Sequence, residues 1–448
     1  MLILNGTLIT FVPARPVIPR GGLRLVGDRI ADVGPTSELA ARYAGDEVLD
    51  ATGHLVMPGL ICSHTHFYGA FARGMALPGS PPRDFPQILE RLWWRLDKAL
   101  TLADVEASAE ICLVDAIRHG VTTLFDHHAS PRALEGSLET IAGVVRRAGV
   151  RACLCYEVSD RDGPEVARNG LTENGKFVRS AQREGNPLLA GLVGLHASMT
   201  LSDGTLERAV ELAQDLGVGC HIHVAEDGAD QQDALKRTGL RVVERLQRLG
   251  VLGPMGVAAH CVHVDGYERD LLRETGVHVA HNPRSNMNNA VGTAPVPAML
   301  RLGVEVGLGN DGFSNNLFVE MHAAYLAHKL ANKNPQAMPA DEVLRLVYGG
   351  NVRLAERYFP SPLGRLEVGA MADVITVQYY PPTPLHDGNY PWHILFGVDG
   401  TGVRTTIVGG RVLMREGQVL TLDEERITAR SRELAREMWR RIEEAAGE

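Results

Sequence analysis

Histidines and carboxylates recur in this chain inside short apolar runs, where a buried strand has no need of them. The stretch Gly59–Met75, "GLICSHTHFYGAFARGM", places His64 and His66 two residues apart at the end of a β-leaning run. Alternate residues of a strand share a face, so both imidazoles aim at one volume. Neutral imidazole is a common ligand of divalent metals. The run "CHIHVAED" (220–227) adds His223 three residues before Glu226. "GVAAHCVH" (256–263) adds His260, and "VEVGLGND" (304–311) ends in Asp311. A divalent cation with an open coordination position asks for three or four nitrogen and oxygen ligands plus a water. His64, His66, His223 and Asp311 meet that requirement. Glu226 is then free to reach the water or the substrate. Asp311 can also take a proton from the water, whose pKa a metal lowers to around 7. His260 is the natural partner for a substrate heteroatom on the opposite wall.

These residues lie far apart in sequence, so the fold must gather them. Eight buried-type strands run through the middle of the chain, at 59–66, 122–128, 151–158, 189–197, 220–226, 256–263, 277–283 and 304–311. Helical periods lie between most of them, as in "DVEASAEICLVDAIRHG" and "DGTLERAVELAQDLG". This alternation predicts a (β/α)8 barrel. A doubly wound open sheet is the alternative, but the first strand is not followed by a Gly-rich phosphate loop. In a barrel all the carboxyl ends converge on one mouth. Seven of the eight strands end in, or just before, a His or Asp: besides the residues above, His127, His128, His196, His221, His263 and His281.

The two ends of the chain share another texture. Short strands broken by Gly, Asn and Asp at 1–57 and 360–423 predict a small composite β-sandwich, with the barrel (58–359) inserted between its halves. Residues 424–448 read as a charged amphipathic helix with one packed face. The net charge of −9 gives no support for a nucleic-acid or anionic-membrane surface. No run approaches the ~18 apolar residues of a membrane helix. The six cysteines form no disulfide pattern, which suits a reducing cytoplasm. Cys153, Cys155 and Cys261 read as core.

Five motifs in order, "MPGLICSHTH", "HIHVAED", "AAHCVH", "HNPRSNMNN" and "LGNDGFSNN", resemble those of the amidohydrolase superfamily. Within it the chain is similar to the cytosine/guanine/triazine-type aminohydrolases. "SHTHFYGAFARGM", "LWWRLDKAL" and "DHHASP" give a closer likeness to the group of aminohydrolases called SsnA. The resemblance covers nearly the whole chain. It implies one divalent metal, zinc or else iron(II), on His64, His66, His223 and Asp311, with Glu226, Asp311 and His260 catalytic. It implies substrate contacts for His196, for Arg284, Ser285 and Asn286 on the far rim, and for Arg73 toward a polar or anionic group. His127 and His128 are further candidate substrate contacts. The implied reaction is deamination of a heterocyclic C=N or amidine centre by metal-bound hydroxide, on a purine, pterin, pyrimidine or triazine-like ring. Chloride or an alkylamine leaving a triazine-like ring is the alternative. A non-catalytic binding subunit is a third reading, disfavoured because every metal and proton-transfer residue is present. Members acting on adenosine derivatives usually bring a carboxylate to the ribose from the loop after strand one. Here that loop reads "RGMALPGSPPRDFPQ", which counts against a nucleoside. A homodimer or larger homo-oligomer is implied by resemblance alone.

Overall fold

The computed structural model describes residues 1–77 and 79–447. The amino-terminal part forms β1 (Leu2–Ile9), β2 (Val17–Val26), β3 (Arg29–Pro35), β4 (Val48–Asp50) and β5 (His54–Pro58). The middle forms β6 (Leu60–Thr65), β7 (Val121–His128), β8 (Arg151–Tyr156), β9 (Leu189–Gly191), β10 (Val193–Ala197), β11 (Cys220–Val224), β12 (Val257–His260), β13 (His278–His281) and β14 (Val306–Leu308). The chain then returns to the first layer with β15 (Val374–Gln378), β16 (Val403–Val408), β17 (Arg411–Arg415) and β18 (Gln418–Val419).

Strands β6 to β14 are parallel and make up the (β/α)8 barrel. The fourth barrel strand is broken at Leu192, so β9 pairs with β8 while β10 pairs with β11. The break is bridged by Leu192 N–H donating to the Leu154 carbonyl at 3.1 Å and by the Val158–Leu195 pairing. An amphipathic helix follows most strands. Leu102–Arg118, for example, starts from a capping box of Thr101 and Asp104 and lays Val105, Leu113 and Ile117 on the core. Ile61, Phe125, Cys153, Cys155, Leu192, Val257 and Ala259 fill the barrel interior against Phe359 and Leu363. Burying Phe125 contributes roughly 2–3 kcal/mol. That apolar plug fills the barrel below the carboxyl-end mouth, where the histidines and carboxylates of the site collect.

Closure between β14 and β6 rests on a side chain. Asn351 Nδ2 donates to the Ile61 and Leu308 carbonyls at 2.6 and 2.8 Å, and its Oδ1 accepts from Leu308 N–H at 2.8 Å. The Asn310 N–H donates to the His64 carbonyl at 3.0 Å, which ties the Asp311 segment to the His64 strand. Gly309 makes this approach possible, because a Cβ there would fall 2.8 Å from the His64 carbonyl oxygen. Asn351→Ala strands three buried backbone groups, each costing about 1–3 kcal/mol. The expected loss is about 3 kcal/mol of stability with weakened metal retention, read by denaturant melts and metal analysis.

The two chain ends join through antiparallel pairing of β15 with β5. The expected sandwich is one continuous nine-stranded sheet, ordered β18-β17-β16-β15-β5-β1-β2-β3 with β4 beside β1. An Arg29–Met371 pairing folds β3 over a core of Ile3, Leu8, Leu23, Ile30, Val56, Val374 and Ile407. The buried ion pair of Arg151 and Asp373 joins this sheet to the barrel. The last helix, Glu424–Gly447, packs on the segment after β6: Trp439 Nε1 donates to the Phe71 carbonyl at 2.9 Å and Arg441 Nε to the Ala99 carbonyl at 2.9 Å. Among the described residues no helix is long and apolar enough to cross a membrane, and the six cysteines are free thiols.

Candidate metal centre and active site

His64 lies in β6 and His66 just beyond it, their ring centroids 4.8 Å apart. The turn after His66 is fixed by Asp126, whose Oδ1 accepts from Phe67 N–H at 2.8 Å. His223 arrives on β11 and Asp311 follows β14. One donor atom from each of His64, His66, His223 and Asp311 lies within 4.8 Å of the others. His64 Nε2 is 2.8 Å and His66 Nε2 3.1 Å from Asp311 Oδ1, while His66 Nε2 and His223 Nε2 are 3.2 Å apart.

The far side of each ring is already committed. His66 Nδ1 donates to the His127 carbonyl at 2.5 Å and His223 Nδ1 to the His196 carbonyl at 2.8 Å; His64 Nδ1 shares a 2.8 Å hydrogen bond with His221 Nε2. Such outer contacts fix the tautomer and aim the Nε2 lone pairs inward. Two neutral imidazoles cannot hydrogen-bond through facing lone pairs at 3.2 Å, so a proton or a cation must lie in the group. Burial pulls the His64 pKa down to about 3 and holds that of His223 well below normal, which keeps both in the ligand form. Burial opposes a charge on His66 too, yet Asp311 beside it raises its pKa to about 9. A divalent cation held by His64, His66, His223 and Asp311 would take the place of that proton. The donor set therefore fits the metal.

Around this point stand the other titratable side chains, Glu226 and His260, beside Asp311. Glu226 Oε2 is 3.5 Å from His260 Nε2, which is 3.6 Å from Asp311 Oδ1. Burial pushes the Glu226 carboxyl up to about 7, against the pull of His260. Burial opposes the charge on Asp311 as well, but His260, His64 and His66 hold its pKa well below the usual carboxylate range. Ser285 Oγ lies 2.5 Å from Asp311 Oδ2. Ala225, His260, Cys261 and Asp311 have φ of 46°, 73°, 50° and 54°, a left-handed conformation costly for non-glycine residues and concentrated here at the strand ends. These turns swing side chains into the mouth, and no sequence pattern announced them.

The remaining candidates divide. His196 lines the cavity over the cluster, together with His66, Tyr68, Trp93, Trp94, Glu226 and Asp311. Asn286 lies behind His260, with Nδ2 2.9 Å from its Nδ1. His127 also stands behind the wall, 3.3 Å from Glu157 through Nδ1 and 3.1 Å from the His221 carbonyl through Nε2. Like Asn286 and His127, the expected substrate contacts Arg73, Arg284 and His128 fall outside the cavity lining. Arg73 is exposed, because the chain turns outward after Phe71. Arg284 is drawn into an ion pair with buried Glu320 at 2.5 Å and hydrogen-bonds Ser314. His128 is buried with Nε2 2.8 Å from Ser130 Oγ.

The sequence reading missed Glu157, Asp97 and Arg161, which line the cavity, and gave His221 no role. Glu157 had a signal: it follows β8, in a predicted strand that was left without a polar end. His66, His127, Glu157 and His223 also gather closely. His66 and His223 already spend Nε2 on the first cluster, so His127 and Glu157 alone remain, too few for a second metal. Phe85, Leu89, Trp93 and Trp94 close the cavity down to about 60 Å³. A ring substrate is admitted only when these side chains give way, since ligand pockets commonly exceed ~300 Å³. A larger groove of about 1110 Å³ lies on the other side of Trp94, lined by Arg95, Lys98, Arg132 and Arg441, and contains none of the clustered histidines.

Residues 55–413 match the Amidohydrolase family. A 5'-deoxyadenosine deaminase of Methanosarcina mazei is 34% identical over 448 residues, 99% of each chain. A 5-methylthioadenosine/S-adenosylhomocysteine deaminase of Syntrophobacter fumaroxidans is 34% identical over 97% of this chain and 98% of its own. The crystal structure of an adenosine deaminase from Xanthomonas campestris with bound zinc superposes with a TM-score of 0.87 at 23% identity, covering 98% of both chains. The family match takes in the whole barrel mouth and the full-length identity reaches a third, so this chain belongs to the amidohydrolase family, hydrolases that act on carbon–nitrogen bonds.

Proposed function

We propose that the protein is a metal-dependent aminohydrolase that removes the exocyclic amino group of a heterocyclic C=N centre, with an adenine-type ring as the leading substrate. The observation that carries this reading is the convergence of Glu226, His260 and Asp311 on the same point as His64, His66 and His223. The names of the relatives support an adenine ring, and with it a nucleoside that the loop after β6 counted against.

His64, His66, His223 and Asp311 would hold the ion. When bound, it lowers the pKa of a water and polarises the attacked carbon. Asp311, kept ionised by its histidine neighbours, accepts the proton of the water and passes it to the departing amine. Glu226, kept protonated by burial below about pH 7, donates to the ring nitrogen and makes the carbon electrophilic. His260, backed by Asn286, hydrogen-bonds the attacked centre. His127, His196 and Glu157 form the wall behind.

Zinc is the expected ion, with iron(II) compatible with the same three imidazoles and one carboxylate. The free cysteines support a reducing cytoplasm. A homodimer or larger homo-oligomer is the expected assembly, supported by exposed apolar side chains that include Leu326 and Leu330, one turn apart on one helix, and the stacked Trp392 and Phe396. The test of function is ammonia release from a panel of aminated purines, pterins, pyrimidines and triazines by protein of defined metal content. Release from 5'-deoxyadenosine or another adenine derivative supports the reading. Halide or alkylamine release alone, or no turnover with any ring, refutes it.

A further inference from the structure

The turn that carries Asp311 is held from outside the cavity. Asp311 and Gly312 have φ of 54° and 82°, and an aspartate keeps a left-handed conformation only where its surroundings over-determine it. Asn315 supplies that constraint. Its Oδ1 accepts from Asn310 Nδ2 at 2.9 Å, and Asn310 Oδ1 accepts from Gly312 N–H at 3.1 Å. These bonds close on the residues either side of Asp311. Asn315 Nδ2 donates to the Cys112 carbonyl at 3.0 Å, and its backbone N–H donates to Asp115 Oδ2 at 2.6 Å. Cys112 and Asp115 belong to the helix Leu102–Arg118. Asn310 and Asn315 are buried, and neither they nor Asp115 line the cavity.

Asp115 stands in the last turn of its helix, where the dipole disfavours a negative charge. One of its oxygens lies 3.2 Å from His119 Nδ1. The other makes a charge-assisted bond to Asn315, roughly twice as strong as a neutral one. Asn310 and Asn315 each spend both ends of the side-chain amide. Neither amide can turn over without facing a donor with a donor. On the cavity side Ser285 Oγ touches Asp311 through Oδ2 alone. The aim of Oδ1 at His64 and His66 therefore depends on the backbone turn, and the turn depends on Asn310, Asn315 and Asp115.

Resting on the metal-dependent reading above, we propose that Asn315 and Asp115 are positioning residues for Asp311. Acting through Asn310, they hold the strained turn so that the carboxylate is aimed at the two imidazoles before an ion arrives. The helix Leu102–Arg118, which carries no residue of the site, is the fixed point of this arm.

The test uses the full chain loaded with cobalt(II), whose visible absorption reports the geometry of its ligands. Spectrum, affinity in competition with a chelator, and melting temperature are read for each variant, with no substrate present. Asn315→Ala should shift the visible bands and weaken ion binding by about 10- to 100-fold, the range for outer partners of metal ligands. Asp115→Ala should shift them the same way and weaken binding by about 10-fold. Asp115→Asn keeps an oxygen that can accept from Asn315 N–H and should recover most of that loss. Asn316→Ala is the structural control. It removes a helix cap on Val319 N–H and a 2.7 Å bond to the Asp399 carbonyl, but no bond beside Asp311. It should lower the melting temperature and leave spectrum and affinity unchanged. If Asn315→Ala does not fold, the two Asp115 variants decide. Wild-type spectrum and affinity in Asp115→Ala, or the same change in Asn316→Ala, overturns the positioning role and leaves the metal reading standing. A wild-type chain that takes up neither cobalt nor zinc overturns both.

Discussion

Glu226→Gln is expected to lower kcat by roughly 10²–10⁴-fold, the range a positioned proton donor contributes, while metal content stays at the wild-type level. Gln has nearly the same shape and can still accept the Asn289 amide, which lies 3.3 Å from Glu226 Oε1. It lacks the proton that burial holds on the carboxyl up to about pH 7. The sign follows from that shift. The protonated, donating form is populated below about pH 7 and lost above it, so wild-type kcat falls as pH rises through that range. The residual rate of the variant should lack this limb. Two measurements decide the matter, a pH–rate profile and metal analysis of the same preparation. Wild-type turnover in the variant, or loss of the ion along with activity, removes Glu226 from proton transfer.

Asp311→Asn has the larger expected effect, because one side chain carries two duties. Its Oδ1 contacts two of the three imidazoles proposed as ligands, and in the proposed reaction it is the ionised group that takes the proton of the water. An amide is a weaker ligand and no base at neutral pH. Activity should fall by at least ~10⁴-fold, since the removal of a proton acceptor compounds the weakened ion. Chelation of the wild-type protein separates the two duties. Dialysis against a chelator should abolish turnover, and zinc should restore it in the wild type but not in Asp311→Asn, even where metal analysis shows the variant reloaded. A chelated protein that keeps full activity would sink the metal reading altogether.

How much of this was legible beforehand differs from residue to residue. His64 and His66 were legible because a strand has period two and two polar residues on one buried face must share a reason to be there. His223, Glu226 and Asp311 were legible because parallel strands end on one face of a barrel. Arg284 misled because a cation after β13 looks like a rim contact until Glu320, from the helix Leu317–Asn332, is seen to neutralise it. Glu157 was passed over because one glutamate at a strand end carries no local pattern. Its meaning comes from His127 and His196, which reach it from β7 and β10. The strand pairing that joins the two chain ends in the composite β domain, β5 with β15, was not legible, because short strands do not encode their partners.

The amino-acid sequence by itself determined the alternation of strand and helix, the end of the barrel on which chemistry collects, and the kinds of ligand available there. Those properties are periodic or compositional, and they are written along the chain. Tertiary structure alone decided which ring nitrogen faces inward, through carbonyls of neighbouring strands, and which charges are already spent, through Asp97 on Arg161 and Glu320 on Arg284. Hydrogen bonds and ion pairs of this kind depend on distances of about 3 Å between residues tens to hundreds of positions apart, which only the closed barrel sets.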